Sequence, residues 1–381
     1  MKTRKHGPAP AAEPQAERRS FLKKAGLATA GAAAAAGGLA APALAQASKD
    51  MVIVSTWPRD FPGLGTGAQR IAANIEMLSE GAIKVQYFAA GERVGAFDSF
   101  DAVASGNAQA YHAADYYWKG KHPGWSYYTG VPFGLTFHEI NAWVDHLGGQ
   151  ELWDELGAQF GLKCLASGNT GVQMGGWFNK EINSPDDFKG LKMRIPGLGG
   201  DVMAKLGASP VSLPGGQIYE NLVSGAIDAT EWVGPWNDYF LKFYEAAKYY
   251  YYPGMHEPGS MISFGMNASW WGTLTPHEQN VIRFCCRAEN DYMMAEFNAN
   301  NGTYLTKLVD EHGVDLKRFN EDVYDAFGRA ADEVFAETIQ HGDLTKRIHE
   351  SFLAARVDVG AWMNIADVAY LVERNRVLGL D

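Results

Sequence analysis

Cysteine is scarce. The 381-residue chain has three, Cys164, Cys285 and Cys286, too few and too irregularly spaced for a disulfide framework. The adjacent pair lies in a helical pattern and cannot bridge to itself, so all three are read as small buried apolar side chains. Positive charge is also in deficit: 33 Lys+Arg stand against 44 Asp+Glu, a formal charge of −11. That balance excludes nucleic acid as a partner and argues against adhesion to anionic lipid. Ten histidines are present, yet none forms His-Glu-x-x-His, no cysteine pair has zinc spacing, and there is no Gly-x-Ser-x-Gly elbow. His138-Glu139, His256-Glu257, His277-Glu278 and His349-Glu350 are plain dipeptides. Gly63-Leu64-Gly65-Thr66-Gly67 lacks both the dinucleotide spacing and the Lys-Ser/Thr pair of a phosphate loop. It is read as part of a loop that closes over a ligand.

What the chain does carry begins with a leader. Arg18-Arg19-Ser20-Phe21-Leu22-Lys23-Lys24 is a twin-arginine pattern, and Ala25 to Ala40 is an Ala/Gly-rich run of about 16 residues, too short and too weakly apolar to span a bilayer. Ala43-Leu44-Ala45 fits a small-x-small cleavage site. Residues 1–45 are therefore expected to be a cleaved signal peptide, with the mature protein crossing already folded into the periplasm. Removal of that leader leaves 26 basic against 42 acidic side chains. An anionic ligand would feel no global attraction, so any anion site must be local. No later stretch is long and apolar enough to cross a membrane.

The remaining 336 residues exceed what one core usually covers, so two lobes are expected. Met51–Val54, a helix over 68–78 and Ile83–Phe88 read as strand, helix and strand, the start of a parallel sheet with helices on its faces. Ser99–Ala110 and Ile218–Ala229 echo each other: a helix with an aromatic near its start, a Ser-Gly stop, then a strand. One such unit per lobe would aim Tyr116-Tyr117-Trp118 and Thr230-Glu231-Trp232 at a shared cleft. Ser184-Pro185-Asp186-Asp187 caps a short helix, and Thr275-Pro276-His277-Glu278 opens a helix predicted to reach 312, with Val281, Phe284, Ala288, Met294, Phe297 and Leu305 as its apolar positions. Residues 358–377 are apolar around more than one face and predict packing on a second subunit. The boundaries drawn are 46–171 for lobe I with a returning strand at about 260–275, 172–259 for lobe II, 276–312 for a helix under both lobes, 313–357 for a helical region packed on the lobes, and 358–381 for a dimerisation helix.

The segment from Gly190 to Trp232 is the most informative. Met193 and Ile195 alternate with Lys192 and Arg194, and the strand stops at Pro196-Gly197. An arginine at the carboxyl end of a strand can grip a carboxylate, because the guanidinium fork matches its two oxygens in a way lysine cannot. Aromatics are the other enrichment, 11 Trp, 17 Tyr and 19 Phe, some of them clustered at these strand tips. A dry pocket walled by them would make one arginine and a few oxygens decisive.

These residues resemble a known family. Ser184-Pro185-x-Asp187-Phe188-x-Gly190-Leu191-Lys192-x-Arg194, and Ala208-Ser209-Pro210-Val211 followed by Glu220-Asn221-Leu222-x-x-Gly225-x-x-Asp228, are similar to the signature of substrate-binding proteins of tripartite ATP-independent periplasmic (TRAP) transporters. Within that family, Ala229–Pro235, Tyr252-Pro253-Gly254-x-His256-Glu257 and the C-terminal helix look like the branch that binds 2-oxo monocarboxylates such as pyruvate. The resemblance implies a two-lobed periplasmic binding protein fold of the α/β class with mixed sheets, a long helix spanning both lobes and a homodimer through the C-terminal helix. It implies that Arg194 holds the substrate carboxylate and that a metal ion bridges protein and substrate at Gln173, Glu231 and the backbone carbonyl of Trp232, sodium ahead of calcium. Tyr116 and Tyr117 from the first lobe are candidate hydrogen-bond donors, and Glu257 a candidate further metal ligand. Amide, carboxylate and carbonyl oxygens are hard ligands that suit either ion.

The expected function is a periplasmic solute receptor, not an enzyme, handing a small 2-oxo acid to TRAP membrane subunits. A receptor for lactate or another 2-hydroxy acid with calcium is the nearest alternative. A sensor presenting the ligand to a membrane kinase would use the same pocket. An exported enzyme is the rival of another class.

Overall fold

The computed structural model describes residues 48–380; the expected leader at 1–45 lies outside them. Two sheets organise the chain. The first has the order β2-β1-β3-β10-β4, from β1 (Lys49–Ser55), β2 (Ile83–Phe88), β3 (Ala110–Ala113), β4 (Leu162–Asn169) and β10 (Met261–Asn267). The second has the order β11-β9-β5-β8-β6-β7, from β5 (Gly176–Phe178), β6 (Lys192–Arg194), β7 (Ser209–Val211), β8 (Ala229–Thr230), β9 (Tyr249–Tyr252) and β11 (Asp315–Arg318). The parallel β-α-β start is present, as β1 pairs parallel with both β2 and β3. Antiparallel β10 and β4 complete a mixed sheet. β3 and β8, the strands of the two echoed units, hold equivalent places, each between a parallel and an antiparallel neighbour.

The chain passes between the sheets three times, once through the long helix between β10 and β11 and twice by short crossovers in the middle of the fold. One crossover runs from β4 to β5, the other from β9 to β10. They lie side by side, joined by Gln173 N to Glu257 O (3.1 Å), Thr170 N to Ser260 O (3.1 Å) and Gly254 N to Gln173 O (3.0 Å). These backbone bonds place two sequence-distant loops in register at the point where the lobes meet.

Thr275 opens the helix Pro276–Thr306 with a complete capping box: its backbone N–H donates to Glu278 at 2.7 Å, and Glu278 N donates back to its hydroxyl at 3.3 Å. At ~1.5 Å per residue the helix is about 46 Å long, and a π-turn at Lys307–Glu311 ends it before Gly313. It touches both lobes. Arg70 on helix Leu64–Leu78 pairs with Glu289 at 2.6 Å and Glu296 at 2.8 Å, and Asn301 accepts from Trp236 N in the second lobe at 3.1 Å.

Four expectations change. The first helix begins at Leu64, not 68, so the Gly63–Gly67 run is its first turn rather than a mobile flap. A small residue is needed at Gly65 because a Cβ there would lie 2.3 Å from the Pro58 backbone oxygen. On that long helix Phe284 and Ala288 face solvent, while Cys285, Cys286, Glu289 and Met293 are buried; contact with both lobes shifts the buried stripe away from the simple apolar count. The segment 313–357, read as helical, also supplies β11 to the second sheet. The residues after 343 form near-continuous helix through Leu378 with a π-turn at Asn364–Val368. Cys164, Cys285 and Cys286 are free and buried.

Candidate functional site

Arg194 ends β6 and is fully buried. Its neighbours explain how a cation is held there. Nη1 donates to the Glu231 carboxylate just beyond β8, and Nε donates to Leu213 O at 3.1 Å. The guanidinium lies over Trp232 with its carbon 5.1 Å from the ring centroid. Burial works against its charge, but Glu231, the two tyrosines and Glu257 hold the guanidinium above its ordinary value. Glu231 is itself fully buried, and its second oxygen meets His256 Nε2 at 3.2 Å. His256 is buried too; burial works to lower its pKa, but the bond to Glu231 together with the charges of Glu231 and Glu257 leaves it raised.

The two crossovers supply the rest. Gln173 Nε2 donates to Glu257 Oε2 at 2.8 Å and to Thr170 Oγ1 at 3.1 Å. Ser260 Oγ donates to the same Glu257 oxygen at 2.5 Å. Burial first, then the nearby Glu231 charge, pushes the Glu257 carboxyl well above the usual carboxylate range. Ligand atoms of Glu231, His256 and Glu257 all lie within 4.8 Å of one another.

Above this polar floor is a small cavity of about 10 Å³, room for the centre of one water-sized sphere. Trp57, Leu64, Ala114, Tyr116 and Tyr117 face it from the first lobe, and Trp232 and Val233 from the second. Trp57 meets Trp232 edge-on at 6.2 Å, and its indole N–H donates to His112 Nδ1 at 2.9 Å. The mouth is bridged by Lys119, which donates to Gly197 O at 2.9 Å and Asp201 at 2.5 Å. Gly197 has φ +64°, and a Cβ there would sit 2.5 Å from the Tyr116 ring.

The fold brings together all the predicted residues: Arg194, Glu231 and Trp232 at the tips of the second sheet, Gln173 and Glu257 on the crossovers, Tyr116 and Tyr117 opposite. One expected detail differs. The fork was expected to face a ligand with two nitrogens; here Nε and Nη1 are already engaged, and only Nη2 is free. Sequence reasoning missed His256 as a partner of Glu231, and Thr170 and Ser260 altogether. The four histidine–glutamate dipeptides separate clearly in space. Glu139 and Glu278 are capping residues, His349-Glu350 lies on a helix, and His256-Glu257 enters the cavity floor.

Four buried polar atoms of this site have no protein partner: Gln173 Oε1, Glu257 Oε1, Arg194 Nη2 and Trp232 Nε1. Two are acceptors and two are donors. Buried groups of this kind are normally satisfied, and leaving one bare costs about 1–3 kcal/mol. The acceptors fit a hard cation and the donors fit an anion. The oxygen donor set is that of sodium or calcium, not zinc or copper.

The comparisons with known proteins agree with this geometry. The family model for bacterial extracellular solute-binding protein, family 7 (DctP) matches residues 53–341. A monocarboxylate 2-oxoacid-binding periplasmic protein of Nostoc sp. is 37% identical over 318 residues, 84% of this chain and 87% of that protein. A TRAP periplasmic solute-binding protein from Pseudoalteromonas atlantica, solved with bound sodium and pyruvate, superposes with TM-score 0.83 at 38% identity, covering 85% of this chain and 98% of that one. Its counterpart from Colwellia psychrerythraea, solved with bound calcium and pyruvate, gives TM-score 0.83 at 37% identity, with coverages of 86% and 99%. The chain is a member of the DctP family of bacterial extracellular solute-binding proteins.

Proposed function

We propose that this protein is a periplasmic receptor that binds a small 2-oxo monocarboxylate of the pyruvate class together with a sodium or calcium ion, and delivers it to TRAP membrane subunits. One observation carries the reading. Buried, partnerless acceptors and donors belong to one cluster, in which Gln173 and Trp232 line the cavity and bond or pack against Glu257 and Arg194, and an organic acid with a hard cation is the kind of ligand that satisfies both. Gln173, Glu231, the Trp232 carbonyl and Glu257 would hold the ion. Its charge would offset the carboxylates and draw in a carboxylate oxygen and the C2 oxygen of the acid.

The chain's own groups do the rest. Arg194 Nη2 donates to the substrate carboxylate while Glu231 anchors the same guanidinium from behind. Trp57, Tyr116 and Tyr117 close from the first lobe and exclude water, which strengthens every charged contact inside. Lys119 reaches across the mouth to Gly197 and Asp201. Closure is favoured because only the closed form engages the acid from both lobes.

One feature supports a receptor rather than a catalyst: the relatives are named as binding proteins. Trp362, Ile365, Val368, Tyr370, Leu371 and Val372 are exposed on the last helix, and a homodimer through that helix would cover them.

A thermal-shift panel of pyruvate, 2-oxobutyrate, lactate and a dicarboxylate tests the assignment, each with sodium, calcium or chelator. Pyruvate-class acids are expected to raise the melting point most and to lose much of that effect when both ions are withheld, calcium by chelator and sodium by a sodium-free buffer. No shift with any short 2-oxo acid would refute it.

A further inference from the structure

The Gln173 side chain can present either its oxygen or its NH2 group to the cavity, and the choice decides what the site binds. An oxygen suits a cation; an NH2 suits an anion with no cation. The surroundings make that choice. Thr170 Oγ1 donates its hydrogen to Gly171 O at 3.3 Å, so toward Gln173 it offers only a lone pair, at 3.1 Å. Glu257 Oε2 already accepts from Ser260 Oγ and accepts from Gln173 Nε2 as well. An oxygen carrying two donors is the unprotonated one whatever the charge of the group. Both hydrogens of the Gln173 NH2 therefore meet acceptors, and turning the amide over would set its oxygen against two acceptors. The oxygen is left facing the other way, buried and free of protein donors.

We propose that Thr170 and Glu257, the latter braced by Ser260, are positioning residues that lock the Gln173 amide with its oxygen toward the cavity and thereby make binding of the acid depend on a cation. None of the three roles requires contact with the acid. The cation dependence rests on the function proposed above; the locked amide does not, so the two are measured separately.

The lock is read in ligand-free protein labelled with 15N-glutamine. The Gln173 side-chain NH2 signal is identified by its loss in Gln173→Glu. Its hydrogens are expected to exchange slowly, at least tenfold faster in Thr170→Val, and slowly again in Thr170→Ser, which keeps the hydroxyl. Ser260→Ala, which removes only the brace, is expected to speed exchange as well. Unprotected hydrogens in the natural protein, or equal protection in Thr170→Val and Thr170→Ser, overturn the proposal. Pyruvate titrations in sodium-free buffer, with calcium and with chelator, follow. The ratio of the two affinities is expected to fall at least fivefold in Thr170→Val and to return in Thr170→Ser; an unchanged ratio also overturns it. If the natural protein binds no 2-oxo acid while its amide is protected, the function fails and the lock stands.

Discussion

Arg194 and Glu231 are paired with both side chains fully buried, one ending β6 and the other following β8. Backbone and side chain bind them twice, since Glu231 N donates to Arg194 O at 3.2 Å. Glu231 holds the guanidinium rigid and leaves its remaining nitrogen, Nη2, buried without a protein partner. Removing one partner of a buried pair leaves the other uncompensated, at a cost of about 3–5 kcal/mol.

Arg194→Ala is therefore expected to weaken pyruvate binding at least a hundredfold, about 3 kcal/mol, and to lower the melting point of the ligand-free protein. Arg194→Lys should not restore affinity, because a lysine cannot meet Leu213 O, Glu231 and the ligand together. Calorimetry and thermal unfolding on the two variants check both statements.

Gly197→Ala introduces a side chain where φ is +64° and where Tyr116 packs from the opposite lobe. The backbone conformation alone costs about 1–2 kcal/mol. The added methyl pushes against the first lobe only when the lobes are closed. Affinity for the acid should fall about tenfold, mainly through faster dissociation in stopped-flow measurements, beyond any change in ligand-free stability.

Trp362→Glu together with Tyr370→Glu places charge on the exposed apolar face of the last helix. If that face covers itself in a dimer, light scattering should show a monomer for the double variant and a dimer for the natural protein. Pyruvate affinity should change little, since the cavity is built from residues 57–262.

Buried Asp115 and Asp238 set a pH dependence of stability. Burial pushes each carboxyl up to about 7, against the hydrogen bonds from Tyr111 and Trp153 to Asp115 and from Tyr250 and Trp177 to Asp238. A raised carboxyl keeps its proton in the folded state after the unfolded chain has lost it. Between about pH 4 and 7 the folded state thus binds more protons, and these two groups make stability fall as pH rises. Asp115→Asn should flatten that slope in melting points measured from pH 4 to 8; an unchanged slope contradicts the assignment.

Much of this site was legible in the sequence, for reasons specific to its residues. Arg194 stood out because a strand of three residues ends at Pro196-Gly197, fixing where its side chain must emerge. The same logic put Glu231 and Trp232 at the tip of β8, while their part as ion ligands came only from the family resemblance, and the capping box at Thr275 placed the long helix. His256, Thr170 and Ser260 were not legible. Their roles come from two crossovers about 85 residues apart lying side by side, a registration made by backbone bonds that no local pattern encodes. The engaged half of the Arg194 fork was hidden for the same reason. The misplacement of Phe284 and Ala288 arose because a helix shared by two lobes has no single apolar stripe.

A crystal structure of the protein grown with pyruvate and calcium tests the central claim most directly. The account predicts one acid in the cavity, its carboxylate on Arg194 Nη2, and one ion coordinated by Gln173 Oε1 and Glu231. An acid bound away from Arg194, or bound with no ion beside Gln173, would contradict it.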